Sequence, residues 1–479
     1  MTNLGYTPEE PIAAIATALN PGAIGIVRAS GKGCIDLVQK IFSRPEALRS
    51  APGNTLVYGW ILSCGNKSAS DDSAHDMENF PDKKDAVDQV MLGVYRAPKS
   101  FTGEDMVELF CHGGVSVVKA VLDTLLKNGF RLAQPGEFTF RAYINGKTDL
   151  TRAEAVREII ESKTDVSRSR AAGRLAGNLF KEIDSIKKTI TDTLAAIEVE
   201  IEYPEDEENI ADSFNEEPLL LAKGRLSDLV SGWRSEKIYQ DGARVVLCGK
   251  TNAGKSSLFN ALLKEERAIV SPVEGTTRDW LESWASFCGV PARLFDTAGL
   301  RATDDVIEAQ GVERAKDILN DADVILYLAD SRSRLDKDDM DFMDSRKNAA
   351  PVILVWNKCD AEKSLPLPEK NTAWSCAVSV SARTGQGMGA LSQAVKDMIL
   401  GASGTERLQA GLGSERQKVC VAEALERVEH ALSAARGNYG LDAVVQDLED
   451  ALDSLGEVTG AVTPDDVLGT IFANFCVGK

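Results

Sequence analysis

Gly249-Lys250-Thr251-Asn252-Ala253-Gly254-Lys255-Ser256 follows the apolar run Arg244–Cys248 and opens a helical pattern. It matches GxxxxGK[ST] between a strand and a helix, the setting that phosphate-binding loop requires. Glycines let backbone N–H groups close around phosphate, from Asn252 through Ala253 and Gly254 to Ser257. Lys255 brings a point charge to the β- and γ-phosphates, and the Ser256 hydroxyl is placed to ligate Mg2+. The loop predicts an α/β P-loop domain around it.

Asp296-Thr297-Ala298-Gly299 lies 41 residues after Lys255, at the end of the strand-like Ala292–Phe295. An acid there can hold Mg2+ through water, and the Gly299 N–H can reach the γ-phosphate. Asn357-Lys358-Cys359-Asp360 follows the apolar run Val352–Trp356 and resembles the NKxD motif that reads guanine. The Asp360 carboxylate can accept both N1–H and N2–H2 of guanine, a pair that adenine does not offer, and leaving it unpaired gives large discrimination. Ser381-Ala382-Arg383 resembles the supporting guanine loop. Four ordered motifs select GTP over ATP. Gly275-Thr276-Thr277-Arg278-Asp279 falls between the first two, where Thr277 can complete the Mg2+ shell and sense the γ-phosphate. In Ras-like enzymes a Gln after DxxG orients the attacking water. Here Leu300 stands in that place, so the water-orienting group lies elsewhere, with Asp304, Asp305 and Glu308 as nearby acids.

Around this block the pattern changes. Arg244–Cys248, Val324–Asp330 and Val352–Trp356 read as parallel strands buried on both faces. Before the block, Leu175, Leu179, Ile183, Ile186, Ile190, Leu194, Ile197 and Ile201 recur at helical spacing, predicting one long amphipathic helix. After a Gly-rich break at Gly401–Gly413, two more stripes follow, on Val421–Leu432 and Leu441–Leu455. Such stripes need partners, so the α/β block is expected to be inserted into one helical domain whose halves pack on each other. The N-terminal part mixes short apolar runs such as Ile12–Ala18 with turns, Ile24–Arg28 and Val90–Tyr95 are strand-like, and residues 65–88 read as a polar loop insertion. The expected parts are 1–146, 147–238, 239–402 and 403–479, an α+β multidomain chain.

The chain has 479 residues, 43% hydrophobic content and a formal net charge of −19. That charge opposes a surface that coats nucleic acid non-specifically, though not a local basic patch. No run of about 18 apolar residues predicts a membrane span. The N-terminus lacks the features of a signal or transit peptide, and the nine cysteines are scattered without a CxxC pair, so reduced thiols in the cytoplasm are expected.

The chain resembles the tRNA-modification GTPase family called MnmE or TrmE over nearly its whole length. The resemblance rests on Gly22–Arg28 (GAIGIVR), Ser100–Gly114 (SFTGEDMVELFCHGG), Pro135–Leu150 (PGEFTFRAYINGKTDL), the GTPase motifs, and the terminal Phe475-Cys476-Val477-Gly478-Lys479. It implies an N-terminal α+β domain that binds a one-carbon tetrahydrofolate (5-formyl or 5,10-methylene) and mediates homodimerisation. A split helical domain would carry a Ras-like G domain. It also implies a flavin-dependent partner, MnmG (GidA), joined in a heterotetramer or larger complex. Together they would add an aminomethyl-type group, such as carboxymethylaminomethyl, to C5 of the wobble uridine U34 of certain tRNAs. Arg28, Glu108, Lys147 and Lys479 match the family's folate-contacting positions, and Cys476 matches a near-terminal cysteine for which a catalytic role is a hypothesis. Asn252 matches a side-chain K+ ligand; Ser271, Val273 (through its carbonyl) and Thr276 match the loop around it. Glu308 aligns with the acid that orients water, and hydrolysis would be activated by K+-dependent pairing of two G domains. Thr251 stands where the family usually has Pro, and Ser271 departs from the common residue at its position. The competing class is a regulatory GTPase switch in ribosome assembly; such proteins usually carry an RNA-binding module near the G domain, where this chain has helices and FCVGK.

Overall fold

The structure, a computed structural model, describes residues 10–63, 86–202, 215–265, 282–296, 317–346, 349–401, 411–437 and 441–478. The chain divides into two compact units, Met1–Arg157 with Asp453–Lys479, and Glu158–Leu452.

The first unit is built on a mixed sheet of β1 (Ile12–Ile15), β2 (Ile24–Ser30), β3 (Thr55–Leu62), β4 (Ala86–Tyr95), β5 (Met106–His112) and β6 (Arg131–Leu132). The order is β3-β4-β5-β2-β1-β6, and every pairing is antiparallel except β1 with β6. Alternation puts Val27, Ala29, Val107, Leu109 and Cys111 into one core against the helix Val115–Lys127. Gly25 has no room for a side chain: a Cβ there would lie 2.4 Å from Val118 Cγ2. This close approach of strand and helix accounts for the second glycine of GAIGIVR.

The Ile12–Ala18 run forms a strand only to Ile15. Ala16 still donates to the Ile26 carbonyl, but the Ile26 N–H turns to the Thr17 hydroxyl, which ends the ladder. One expectation needs correction in this unit: residues 86–88 of the expected polar loop belong to β4, which begins at Ala86. Its Asp88 is buried and accepts from the His112 N–H and ring nitrogen across the sheet, so an acid reads as loop yet serves a strand.

The second unit contains the helices Asp165–Leu175, Asn178–Glu202, Glu217–Asp241 and Glu415–Arg436. The expected single stripe is two helices. Gly177, at φ +88, donates to the Arg174 carbonyl and closes the first, leaving Leu175 as its last, partly exposed residue. Leu179, Ile183, Ile186 and Ile190 are fully buried, as a stripe requires. Glu217–Asp241 packs on Glu415–Arg436. Arg436 pairs with Glu216 at one end, and Trp233 Nε1 donates to Glu415 at the other, so the two run antiparallel. Their shared end is where the chain leaves for the α/β block and returns from it.

That block holds β7 (Ala243–Gly249), β8 (Glu282–Phe287), β9 (Val290–Asp296), β10 (Val324–Asp330), β11 (Val352–Asn357) and β12 (Cys376–Val380). The order is β12-β11-β10-β7-β9-β8, parallel except for the β8–β9 hairpin. One buried cluster on Val245, Leu247, Leu326 and Val355 and another on Val246, Ile325, Leu354 and Trp356 cover the two faces. This is the layering that continuous apolar strands demand. Ligand-binding loops of such a sheet cluster at the carboxyl ends of its strands. Among the described residues, no helix is long and apolar enough to cross a membrane.

Candidate functional site

β7 ends at Gly249, φ +134, where a Cβ would sit 2.2 Å from the Leu328 carbonyl oxygen. Gly254, φ +98, leaves no room beside Asn357 Nδ2, 2.3 Å from its would-be Cβ. Both motif glycines are therefore required by neighbouring strands as well as by the turn. Asn252 takes φ +66, a conformation its short polar side chain tolerates. Lys255 opens the helix Lys255–Glu265, whose N-terminus faces the loop, and its Nζ donates to the Gly249 and Lys250 carbonyls, each at 2.8 Å. Ser256 and Ser257 lie exposed in the first helical turn, beside Ala253, which is buried. The result is a set of N–H groups, one ammonium and two hydroxyls around a concave turn, the chemistry of a polyphosphate cradle.

The second half of the site comes from β11 and β12. Asn357 is 2% exposed; its Nδ2 donates to the Ala253 carbonyl at 2.8 Å, and its Oδ1 accepts from the Ala382 N–H at 3.2 Å. One side chain thus ties the phosphate loop to the Ser381 loop. Lys358, at φ +66, donates to the Asn252 carbonyl at 2.6 Å and to Asp330 at 2.8 Å. Asp360 accepts the Ser381 hydroxyl at 2.7 Å on one oxygen and pairs with Arg383 at 2.8 Å on the other. The Ser381 hydroxyl first, and Arg383 after it, hold the Asp360 carboxyl below its ordinary range, so it stands as an ionised acceptor. Asp296 closes β9 at the same edge of the sheet. Ser271, Val273, Gly275, Thr276, Thr277, Thr297, Ala298, Gly299 and Glu308 lie outside the described residues, as does Lys479.

Asp330 was not singled out from the sequence. It ends β10, is held well below the usual carboxylate range by Arg332 first and Lys358 next, and fixes the Lys358 ammonium. A polar residue terminating an apolar strand was the available signal.

In the first unit, β2 and β5 register Arg28 opposite Glu108. Arg28 Nε and Nη2 donate to Glu108 Oε1 at 2.9 and 2.7 Å, and Nη1 donates to the Gly478 carbonyl at 3.2 Å. Its guanidinium lies over the rings of Phe101 and Phe138, 5.5 and 5.6 Å from their centroids. Tyr95 donates to Glu108 Oε2 at 3.3 Å; burial, then the Glu108 charge, pushes that hydroxyl up. Lys147 Nζ reaches the Pro98 carbonyl at 2.9 Å, on the loop that also carries Phe101. The family resemblance marks Arg28 as a folate-contacting position. Here Arg28 already has a carboxylate and holds the tail, and a ligand would meet it as a further partner. Phe475 is buried against Phe472, Cys476 is exposed, and the Cys476 carbonyl accepts from the Gly136 N–H at 3.5 Å. Phe101, Phe138 and Tyr95 went unread because aromatic residues are ordinary core.

Residues 11–147 match the family described as GTP-binding protein TrmE N-terminus, and residues 150–476 match the MnmE helical domain. The chain is 50% identical over 487 aligned residues to the tRNA modification GTPase MnmE of Treponema denticola, covering 99% of each chain. It is 40% identical to the MnmE of Treponema pallidum and 38% identical to that of Borreliella burgdorferi, again covering 99% of each. Two family descriptions that nearly tile the chain, and relatives matched end to end, place it beyond its loop motifs alone: the chain belongs to the MnmE (TrmE) family of tRNA modification GTPases.

Proposed function

We propose that this protein binds and hydrolyses GTP in the service of tRNA modification. With a flavin-dependent MnmG (GidA) partner, it adds a carboxymethylaminomethyl-type group to C5 of U34. The observation that carries the reading is the end-to-end 50% identity to a tRNA modification GTPase, joined to a site in which Asn357 bridges the phosphate loop and the guanine loop.

In this reading Asp360 accepts the guanine N1–H and N2–H2, and the Ala382 N–H lies beside the same base edge. Lys255 leaves the Gly249 and Lys250 carbonyls for the phosphates. The exposed Ser256 hydroxyl, with Thr277, suits a hard divalent cation, and Asn252, Ser271, Val273 and Thr276 would hold K+. When bound, these cations supply the positive charge that stabilises phosphoryl transfer. Glu308 orients the attacking water, and two G domains pair across a homodimer. Arg28, Glu108, Lys147 and Lys479 bind a one-carbon tetrahydrofolate. Glu108 fits that role because its carboxylate, after Arg28 and Tyr95, keeps lone pairs for a pterin donor.

Mass spectrometry of wobble uridines in tRNA from cells lacking the protein tests the function, and normal modification there would sink it. GTP turnover should also be several-fold faster in K+ than in Na+; equal rates would remove the cation mechanism.

A further inference from the structure

Within the GxxxxGKS motif, Lys250 occupies a position the motif leaves open, yet its side chain pairs with two carboxylates. Its Nζ meets Asp339 at 3.1 Å and also pairs with Asp336. The Asp339 side chain is 8% exposed, while that of Asp336 is 56% exposed, so Asp339 is the fixed partner. Asp339 is in turn held by the Tyr327 hydroxyl at 2.6 Å and by the Asp336 N–H at 3.0 Å. Tyr327 is buried in β10, the strand beside β7. Burial first, then the Asp339 contact, pushes its hydroxyl up, so it remains a donor to that carboxylate. The backbone of the same lysine has a second task, since the Lys250 carbonyl accepts the Lys255 ammonium.

We propose that Lys250 is a positioning residue for nucleotide binding. Tyr327, Asp339 and Lys250 form a strut from the sheet to the outer side of the phosphate loop, and the strut fixes the carbonyl on which Lys255 rests. The inference rests on the GTPase reading and adds to it a named control of phosphate affinity. Without the strut the loop backbone at Lys250 is free to turn, and the phosphates must order it on binding, which costs affinity. The effect falls on binding, which GTP and GDP share, rather than on the hydrolytic step.

The test uses the full-length protein, with a fluorescent N-methylanthraniloyl-GDP for affinity and GTP turnover for kcat and KM. Lys250→Met should raise the Kd for GDP and the KM for GTP together by about fivefold, the scale of one ion pair with a buried partner, and leave kcat unchanged. Lys250→Arg should restore both. Asp339→Asn should match Lys250→Met, and the double variant should be no worse than either alone. Wild-type affinity in Lys250→Met, failure of Lys250→Arg to restore binding, or a fall in kcat with KM unchanged would each overturn the strut. Absence of GDP binding by the wild-type protein itself would instead overturn the GTPase reading on which it stands.

Discussion

Arg174→Ala is the substitution whose cost follows most directly from the structure. Arg174 is 1% exposed and makes three connections. Its Nε donates to Glu158 at 2.7 Å, and its Nη1 donates to Glu236 at 2.9 Å and to the Gly411 carbonyl at 3.3 Å. Arg170 pairs with the second Glu236 oxygen and lies 4.1 Å from the Tyr239 ring centroid, so two guanidinium groups balance two carboxylates. Glu236 sits near the end of the helix that feeds β7, and Gly411 lies on the segment returning from the α/β block. That segment passes so close that a Cβ on Gly411 would come 2.7 Å from Glu236, and one on Gly413 2.2 Å from Glu158. The Gly-rich break in the sequence is thus, in part, a requirement of this ion cluster.

Removing one partner of a buried pair costs about 3–5 kcal/mol, mostly the penalty of the carboxylate left behind. At about 2–4 °C per kcal/mol for a unit of this size class, the larger unit should melt on the order of 10 °C lower. Scanning calorimetry reads this. The physical cause is checked by Arg174→Met with Glu158→Met, which removes the carboxylate that loses Arg174 while Glu236 keeps Arg170; it should recover at least half of the loss. A melting point for Arg174→Ala within about 2 °C of wild type would refute the reasoning, since the cited penalty could not then be present. So would a double variant no more stable than the single one.

Three further outcomes follow from particular contacts. Burial acts to raise the Glu137 carboxyl, but Arg131, the Gln134 N–H and Arg141 outweigh it and hold the group below its ordinary 4.5. A depressed folded pKa gives stability that is present above the unfolded value and lost as pH falls through the folded one. The smaller unit should therefore weaken below pH 4.5, and Glu137→Gln should flatten that acid limb in urea titrations; parallel limbs would contradict the linkage. Gly478→Ala places a Cβ 2.4 Å from the Ile15 carbonyl at φ +92, which backbone atoms cannot relieve, so the tail should be cleaved faster by carboxypeptidase. An unchanged cleavage rate would show that the tail is not seated there. Asn357→Ala strands a buried carbonyl at Ala253 and an N–H at Ala382, each worth about 1–3 kcal/mol, so affinity for GDP should fall at least tenfold. Unaltered affinity would mean the bridge does not shape the site.

The phosphate loop and the parallel strands were legible because their signals are local. A glycine-rich turn followed by Lys-Ser, and an apolar run buried on both faces, depend on neighbours a few residues away. Register is a different kind of information. Nothing near Arg28 announces that Glu108 will stand opposite it, or that a carbonyl 450 residues later will complete its bonding. Periodicity failed at Leu175 for a related reason. The four-residue step from Leu175 to Leu179 keeps the helical phase across a break, so the stripe looks continuous while Gly177 turns the backbone left-handed. The glycine itself was the stronger signal, since only the backbone conformation, and not the apolar phase, decides where a helix stops.

Asp330 suggests how such omissions can be reduced. β7, β9, β10 and β11 are largely apolar, with Arg244 and Arg293 the charged residues inside β7 and β9, and end in Gly249, Asp296, Asp330 and Asn357. A sheet buried on both faces favours polar side chains where its strands emerge, and in a parallel sheet the carboxyl ends emerge together. The residue that terminates each apolar run is therefore placed beside the others by topology, whatever motif it belongs to. Three of these four were found because they sit in known patterns. Asp330 belongs to none, yet it holds Lys358 against the phosphate loop as firmly as the motif residues hold their own partners. Strand termini, taken in sheet order, are a physical criterion for a site residue that motif matching does not supply.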